Sequence, residues 1–320
     1  DFCLSRGLGD VYKRQVITRA AASERIKATS QRLPITERVV DRFVAGETEP
    51  DVLGAITTAL DSGLSVTIDH LGEDTTEESQ ASATVAAYVS LIQRMPAFTA
   101  PPGALEVSLK LTALGQCLPR HGRKIAEENA HTICGAAAAA GVLVTVDAED
   151  HGTVDERLDI VRTLRADYPD LGTVLQAYLR RTEDDCREFA ASGARIRLCK
   201  GAYAEPASVA YPERSLIDEA YLRCLRILMK GNGYPMVASH DPTMISAAAL
   251  MAIEFGRDPG SWEHQMLYGI RTDEQRRLAA TGATVRVYIP YGQEWYGYFV
   301  RRLAEKPANL GFFLRALTSG

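Results

Sequence analysis

The sequence predicts an α/β fold, a TIM-like (βα)8 barrel with extra N-terminal helices and a displaced eighth helix over the barrel mouth. Three observations predict it. Short β-branched, apolar stretches alternate with helical patterns eight times between residues 64 and 310, the pattern of a parallel sheet. No Gly-rich dinucleotide fingerprint follows any of these strands, which sets the doubly wound open sheet behind the barrel. Every strand body reads as apolar, and every strand ends in polar or ionisable groups, where a barrel places its active site.

Composition sets the bounds. The chain has 320 residues, 46% of them hydrophobic, enough for one large core. A net charge of −5 with mixed signs gives no reason to expect a nucleic-acid partner. Charged residues interrupt every apolar stretch before it reaches bilayer length. The six cysteines show no CxxC pair and no Cys/His ligand spacing, so they read as free thiols in a reducing cytosol, with no metal. Residues 1–15, DFCLSRGLGDVYKRQ, carry no initiator Met and resemble translated adapter sequence. They read as non-native and are set aside, as targeting or cloning segments are.

The elements follow in order. Residues 16–62 are expected to form N-terminal helices. The first has Thr36 as N-cap and stops at Gly46, and the second, residues 51–62, is capped by Asp51 after Pro50. The barrel then occupies residues 63–320. Its strands are read at 64–70, 104–111, 142–147, 173–178, 194–199, 235–239, 262–267 and 283–289. Its helices are read at 75–93, 122–140, 153–168, 182–192, 214–230, 243–255 and 272–280. Gly141 and Gly282 stand just past two of these helices, and Pro169 follows a third. After the last strand the chain is expected to turn at Pro290 and Gly292 and enter the eighth helix.

That helix carries Tyr298, Arg301, Arg302 and Glu305 at i, i+3, i+4 and i+7, all on one face. Two adjacent guanidiniums suit a carboxylate, Glu305 can pair with either of them, and Trp295, Tyr296 and Tyr298 would flank the clamp. The alternative, a solvated charged face, is ordinary for a helix. The strand ends weigh against it: Asp69, His70, Lys110, Asp147, Glu149, Gln176, Tyr178, Arg197, Lys200, His240, Asp241, Gln265 and Tyr288 form a ring of polar groups at one end of the barrel. Lys110 lies among apolar neighbours and needs a carboxylate, for which strand order nominates Asp147. Arg197 and Lys200, three apart and followed by glycine, suit a phosphate-bearing cofactor or the edge of an anionic flavin. Arg195 reads as a surface cation, although it shares strand parity with Arg197 and Cys199.

The segments SLKLTALG, VTVDAED, LQAYLRR, RLCKGAYAEP, ASHDP and YGYFVRRLAEKPAN resemble the flavin-dependent proline dehydrogenase family in its short monofunctional bacterial form. The family fold is a distorted (βα)8 barrel whose eighth helix sits above the barrel. The resemblance implies that Arg301 and Arg302, assisted by Lys110, bind the proline carboxylate. Asp147 and Glu305 position these cations, with Glu305 also beside the cofactor, and Tyr203, Tyr288 and Tyr298 wall the ring. FAD is held by Gln176, Arg197, Lys200, Gly201, His240 and Gln265. Ser239 replaces a common threonine, and Cys199 takes a place often held by valine, where its backbone matters.

The implied reaction is oxidation of L-proline to 1-pyrroline-5-carboxylate by hydride transfer from C5 to flavin N5, the first step of proline catabolism to glutamate. The acceptor is a membrane quinone, which implies a cytoplasmic protein in peripheral contact with the inner face of the membrane. A separate 1-pyrroline-5-carboxylate dehydrogenase is implied as a partner. Two other readings stand beside this one: a hydroxyproline dehydrogenase, which Tyr288 disfavours by crowding C4, and a non-catalytic flavin or amino-acid sensor barrel.

Overall fold

A computed structural model describes residue 40 and residues 42–299. Residues 1–39, with Thr36 and most of the first expected helix, and Arg301, Arg302 and Glu305 lie outside the described residues; residues 42–44 are turn and bend, so that helix does not run on to Gly46. Eight strands close into a parallel barrel in simple sequence order: β1 (Ser65–His70), β2 (Leu105–Leu109), β3 (Leu143–Val146), β4 (Gly172–Gln176), β5 (Arg195–Cys199), β6 (Tyr234–Ala238), β7 (Glu263–Leu267) and β8 (Val285–Tyr291). β8 pairs with β1 from Ser65↔Arg286 to His70↔Tyr291 and completes the ring. Helices α2 (Glu78–Arg94), α3 (Gly122–Ala140), α4 (Val154–Asp167), α5 (Thr182–Ala191), α6 (Arg214–Lys230), α7 (Pro242–Glu254) and α8 (Thr272–Ala280) follow β1 to β7. The core between helices and strands is built from the outward strand residues, such as Val66, Ile68, Val107, Leu109, Val144, Val146, Val287 and Ile289.

α1 (Glu49–Asp61) precedes β1 and packs against β1 and β8. Its cap is Thr48, not Asp51. Asp51 accepts from the Thr48 backbone N–H at 2.9 Å while the Thr48 hydroxyl accepts from Asp51 N–H, a reciprocal capping box. Pro50 fits inside the first turn, where a missing N–H costs nothing. α3, α6 and α8 keep the bounds read from the sequence. At the end of α3, Gly141 takes the left-handed conformation, φ +66°.

Three expectations need correction here. The chain does not turn at Pro290. That residue lies within β8 in register with Asp69, and the turn comes at Gly292, φ +120°. Proline is tolerated because the β7–β8 ladder ends at Leu267↔Tyr288, before a Pro290 N–H would be needed. Nor are the strand bodies apolar throughout. Thr67, Glu106, Ser108, Arg195, Arg197, Glu263, Gln265 and Arg286 are all buried and bond to one another across the barrel interior. Arg195 is 8% exposed and pairs with Glu106 at 2.7 Å, so it is an interior cation. Such charges persist in a core only when paired and hydrogen-bonded.

A second, smaller core lies at the mouth. Leu71, just past β1, packs with Val40, Phe43, Val44, Trp295, Tyr296, Tyr298 and Phe299, and Tyr288 lies against them. The helical turn that begins at Trp295 therefore sits over the strand ends. Trp295 donates to Glu47 at 2.9 Å, and both Trp295 and Tyr296 are buried in this core. They anchor the segment in this core.

Candidate active site

Alternation along each strand points residues of one parity into the barrel, and the strand ends bring three charged groupings to the mouth. The first is Lys110 with Asp69. The ammonium lies 2.6 and 2.7 Å from the two oxygens of Asp69, which is fully buried. Asp69, not Asp147, is thus the partner of Lys110. Burial alone would drag the lysine pKa down, but the Asp69 carboxylate, followed by Asp147 and Glu73, holds it above its ordinary value.

Arg197 is the hub of the second grouping. Its Nε donates to Gln265 Oε1 at 2.5 Å. One terminal nitrogen donates to Asp147 at 2.7 Å and Ser108 at 2.9 Å, and the other to Glu106 at 2.8 Å. The guanidinium also lies 5.3 Å from the centre of the Tyr288 ring, and the Tyr288 hydroxyl donates to Asp147 Oδ2 at 2.7 Å. Asp147 thus joins the cation to the aromatic ring. Beneath them Glu106 accepts from Thr67, Arg195 and Arg197. Burial would raise its pKa, but Arg286, Arg195 and Arg197 pull it down to about 2. Arg197, expected beside a flavin, is wrapped by protein acceptors.

The third grouping is Lys200, which pairs with Asp218 of α6 and, at 2.9 Å, with Asp241. Asp241 also caps α7, accepting from Thr243 N–H. The Ser239 hydroxyl accepts from Asp241 N–H at 3.1 Å. His240 is oriented through Nε2, which accepts from Leu267 N–H at 2.9 Å.

Between the first two groupings, Glu149 is buried and accepts from both the hydroxyl and the N–H of Thr112. Burial pushes its carboxyl up to about 7 against the lowering effect of Thr112 and Lys110. The Glu149 carbonyl accepts from Gln176 Nε2 at 3.2 Å, which sets the amide. Gln176 Oε1 is then a buried acceptor with no hydrogen-bond partner among the described residues. A buried acceptor of this kind needs a donor, and an imide N–H such as a flavin carries would satisfy it.

The loop after β5 is strapped over β4. Cys199 and Lys200 carbonyls accept from Ala177 and Tyr178 N–H at 2.8 and 2.9 Å. Gly201 has φ +112°, and a Cβ there would run into the Tyr178 ring. The Tyr178 hydroxyl donates to Glu205 at 3.3 Å, and Glu205 also holds His151. Half-buried Tyr203 rides on this strap. Tyr298 is buried in the upper core.

Glu106, Thr112, Asp218 and Glu205 were not singled out from the sequence as supports of the site, and Asp69 stood there as a polar strand end without its partner Lys110. A signal existed for one of them: Glu106, Ser108 and Lys110 stand at alternate positions of an otherwise apolar strand, which places all three on the inner face. Nothing local reveals Asp218 or Glu205, which arrive from a helix and a loop.

Comparison with known proteins agrees with this architecture. The family model for proline dehydrogenase matches residues 52–315. A proline dehydrogenase of Deinococcus radiodurans is 35% identical over 315 residues, 98% of this chain and 100% of that protein. Proline dehydrogenase 2 of Bacillus subtilis is 39% identical over 256 residues, 80% of this chain and 82% of that one. Among solved structures, proline utilization A from Bdellovibrio bacteriovorus superposes with a TM-score of 0.77 at 20% identity, covering 93% of this chain and 40% of the other. That likeness speaks for the barrel fold alone. The chain belongs to the proline dehydrogenase family, oxidoreductases of proline catabolism.

Proposed function

We propose that the protein oxidises L-proline at the C5–N bond to 1-pyrroline-5-carboxylate, with FAD as its cofactor and a quinone as final acceptor. The observation that carries this reading is the pairing, at one barrel mouth, of a buried charged lysine with the orphaned Gln176 acceptor. Gln176 needs an N–H donor, and the ammonium N–H of Lys110 not spent on Asp69 suits an anion. Gln176, Gly201, Ser239, His240 and Gln265, with Arg197 and Lys200, would hold the FAD, and Glu305 would lie beside it. When bound, FAD supplies the two-electron acceptor for the hydride that leaves C5.

The chain's own residues bind and orient. Lys110, with Arg301 and Arg302, takes the proline carboxylate, and this fixes which ring carbon faces the cofactor. The three cations attract the carboxylate, and their directed N–H groups hold its plane. Tyr288, pinned through its hydroxyl to Asp147, supports one side of the ring, with Tyr203 and Tyr298 as the other walls. Orientation and fixed electrostatics, rather than protein redox chemistry, are the protein's contribution. The charged Lys110 cannot accept the amine proton, so that proton leaves to another group or to water.

Passing electrons to a quinone would bring the protein to the cytoplasmic face of the membrane. No helix among the described residues is long and apolar enough to cross it, so the contact we propose is peripheral. The product is a cyclic imine that opens to an aldehyde, and an aldehyde dehydrogenase acting on 1-pyrroline-5-carboxylate is the natural next enzyme.

The test is a visible absorption spectrum of the purified protein before and after anaerobic L-proline. Flavin bands that bleach with L-proline and little with trans-4-hydroxy-L-proline are expected. Failure to bind added FAD would overturn the flavoenzyme reading, and bleaching mainly by hydroxyproline would change the substrate.

A further inference from the structure

The ion pair between Lys110 and Asp69 is more than a structural contact, and its chemistry bears on how the substrate is held. Lys110 is 7% exposed and Asp69 is fully buried. Two of the three N–H bonds of the ammonium are spent on the two oxygens of one carboxylate. The pair is built into the barrel rather than left to side-chain flexibility. Tyr88 of α2 accepts from His70 N–H at 3.1 Å and donates to the Ser108 carbonyl at 2.5 Å. This bolts the end of β1 to the end of β2, immediately beside Asp69 on one strand and two residues before Lys110 on the other. Asp69 and Ser108 are also partners in the β1–β2 register.

We propose that Asp69 is the positioning residue of the substrate-carboxylate site: it keeps Lys110 charged and oriented, leaving one ammonium N–H for the anion. This inference rests on the proposed substrate reading. A lysine buried without a counter-charge loses its proton readily, and a neutral amine would be a poor ligand for a carboxylate. Asp147, Glu73 and Glu149 also lie in the field of Lys110, and His70 lies on the same side. Asp69 is the carboxylate that grips the ammonium with both oxygens. The same grip keeps Lys110 from serving as the base for the substrate amine.

The experiment compares the FAD-loaded wild type with D69N, K110M and D69N/K110M. The ligand is cyclopentanecarboxylate, which has the ring and carboxylate of the substrate but no amine. Its inhibition of L-proline oxidation is followed between about pH 6.5 and 9.5, a range in which a carboxylate stays ionised. In the wild type the inhibition constant is expected to be flat. In D69N it is expected to weaken about tenfold for each unit that pH exceeds the lowered lysine pKa. In K110M it should be weak and flat, and D69N/K110M should match K110M. A flat, unweakened D69N, or a double variant weaker than K110M, would show that Asp69 does not act through Lys110.

A second readout does not need the substrate. Carbamoylation of Lys110 by cyanate, followed by peptide mass spectrometry, is expected to be slow in the wild type and at least tenfold faster in D69N. Unchanged labelling overturns the role of Asp69, whereas failure of the wild type to oxidise L-proline overturns only the substrate reading. If D69N does not fold, D69E decides. It keeps the negative charge and should leave Lys110 as unreactive as in the wild type, and a reactive Lys110 there refutes the proposal.

Discussion

Glu149 shows how a single carboxyl couples this site to pH. In the fold it is pushed up to about 7, against an ordinary 4.5. Between those values the folded chain holds a proton that the unfolded chain has lost. Stability must therefore fall as pH rises from 4.5 to 7 and stay low above it. At about 1.4 kcal/mol per unit the loss is about 3 kcal/mol. Glu149→Gln keeps an oxygen for Thr112 N–H and removes the titration. The variant should melt higher than the wild type at pH 8 and about level with it at pH 4.5, in thermal unfolding followed by circular dichroism. A variant no more stable at pH 8 would mean that Glu149 is ionised at no cost. Glu106 runs the other way. Held at about 2 by three arginines, it stabilises the fold above pH 4.5, and that contribution is lost as pH falls through 2. Glu106→Gln leaves Arg195 and Arg197 short of a counter-charge, which costs about 3–5 kcal/mol in a buried pair. Urea unfolding at neutral pH measures it, and a loss below about 1 kcal/mol would show that water replaces the carboxylate.

At the scale of elements, the strap after β5 decides how the site is walled. Gly201 is required twice, by its φ of +112° and by the Tyr178 ring that occupies the place of a Cβ. Gly201→Ala must either strain the backbone, at about 1–3 kcal/mol, or lift the strap from β4. Lifting it would carry Tyr203 and the His151–Glu205 link with it. The expected outcome is a rise of several-fold or more in the KM for L-proline with a smaller change in kcat, read from steady-state kinetics. An unchanged KM would place Tyr203 outside the pocket. The helical turn at Trp295 is governed in a similar way by neighbours. Trp295, Tyr296 and Phe299 are buried against Phe43, Val44 and Leu71, so this segment is fixed by a core of its own above the barrel.

Over the whole molecule, the barrel has two interiors. Between strands and helices it is aliphatic, and inside the strand ring it is charged, with Glu106, Arg195, Arg197, Glu263 and Arg286 all buried. The inner network runs upward from Glu106 through Arg197 to Asp147 and Tyr288 at the mouth. Site geometry and barrel stability therefore share the same residues. The closing seam draws on the same network: Arg286 of β8 donates to the carbonyls of Val66 in β1 and Gly103 before β2 at 2.9 and 2.7 Å and to Glu263 of β7. Substitutions in the inner network should lower stability and activity together, whereas those in the strap should separate them.

Much of this was legible in the sequence, because strands and helices announce themselves through local periodicity, glycine and proline placement, and the eightfold repeat of one unit. The bounds of α3, α6 and α8, the barrel class and the ring of polar strand ends all followed from near neighbours in the chain. The partner of Lys110 did not. Strand order suggested Asp147, but Asp147 is claimed by Arg197 and Tyr288, while Asp69 reaches Lys110 from the other side. The charged inner core was hidden for a similar reason: alternation puts the glutamate of LEVSL on the inner face, but the three arginines that surround it come from other strands. Pro290 looked like a turn until the β7 ladder proved to end before it. Local pattern determines which elements form and which way each side chain faces. Which charge meets which depends on closing the barrel, since the partners come from strands far apart in the chain and each carboxylate goes to the cation that closure places nearest.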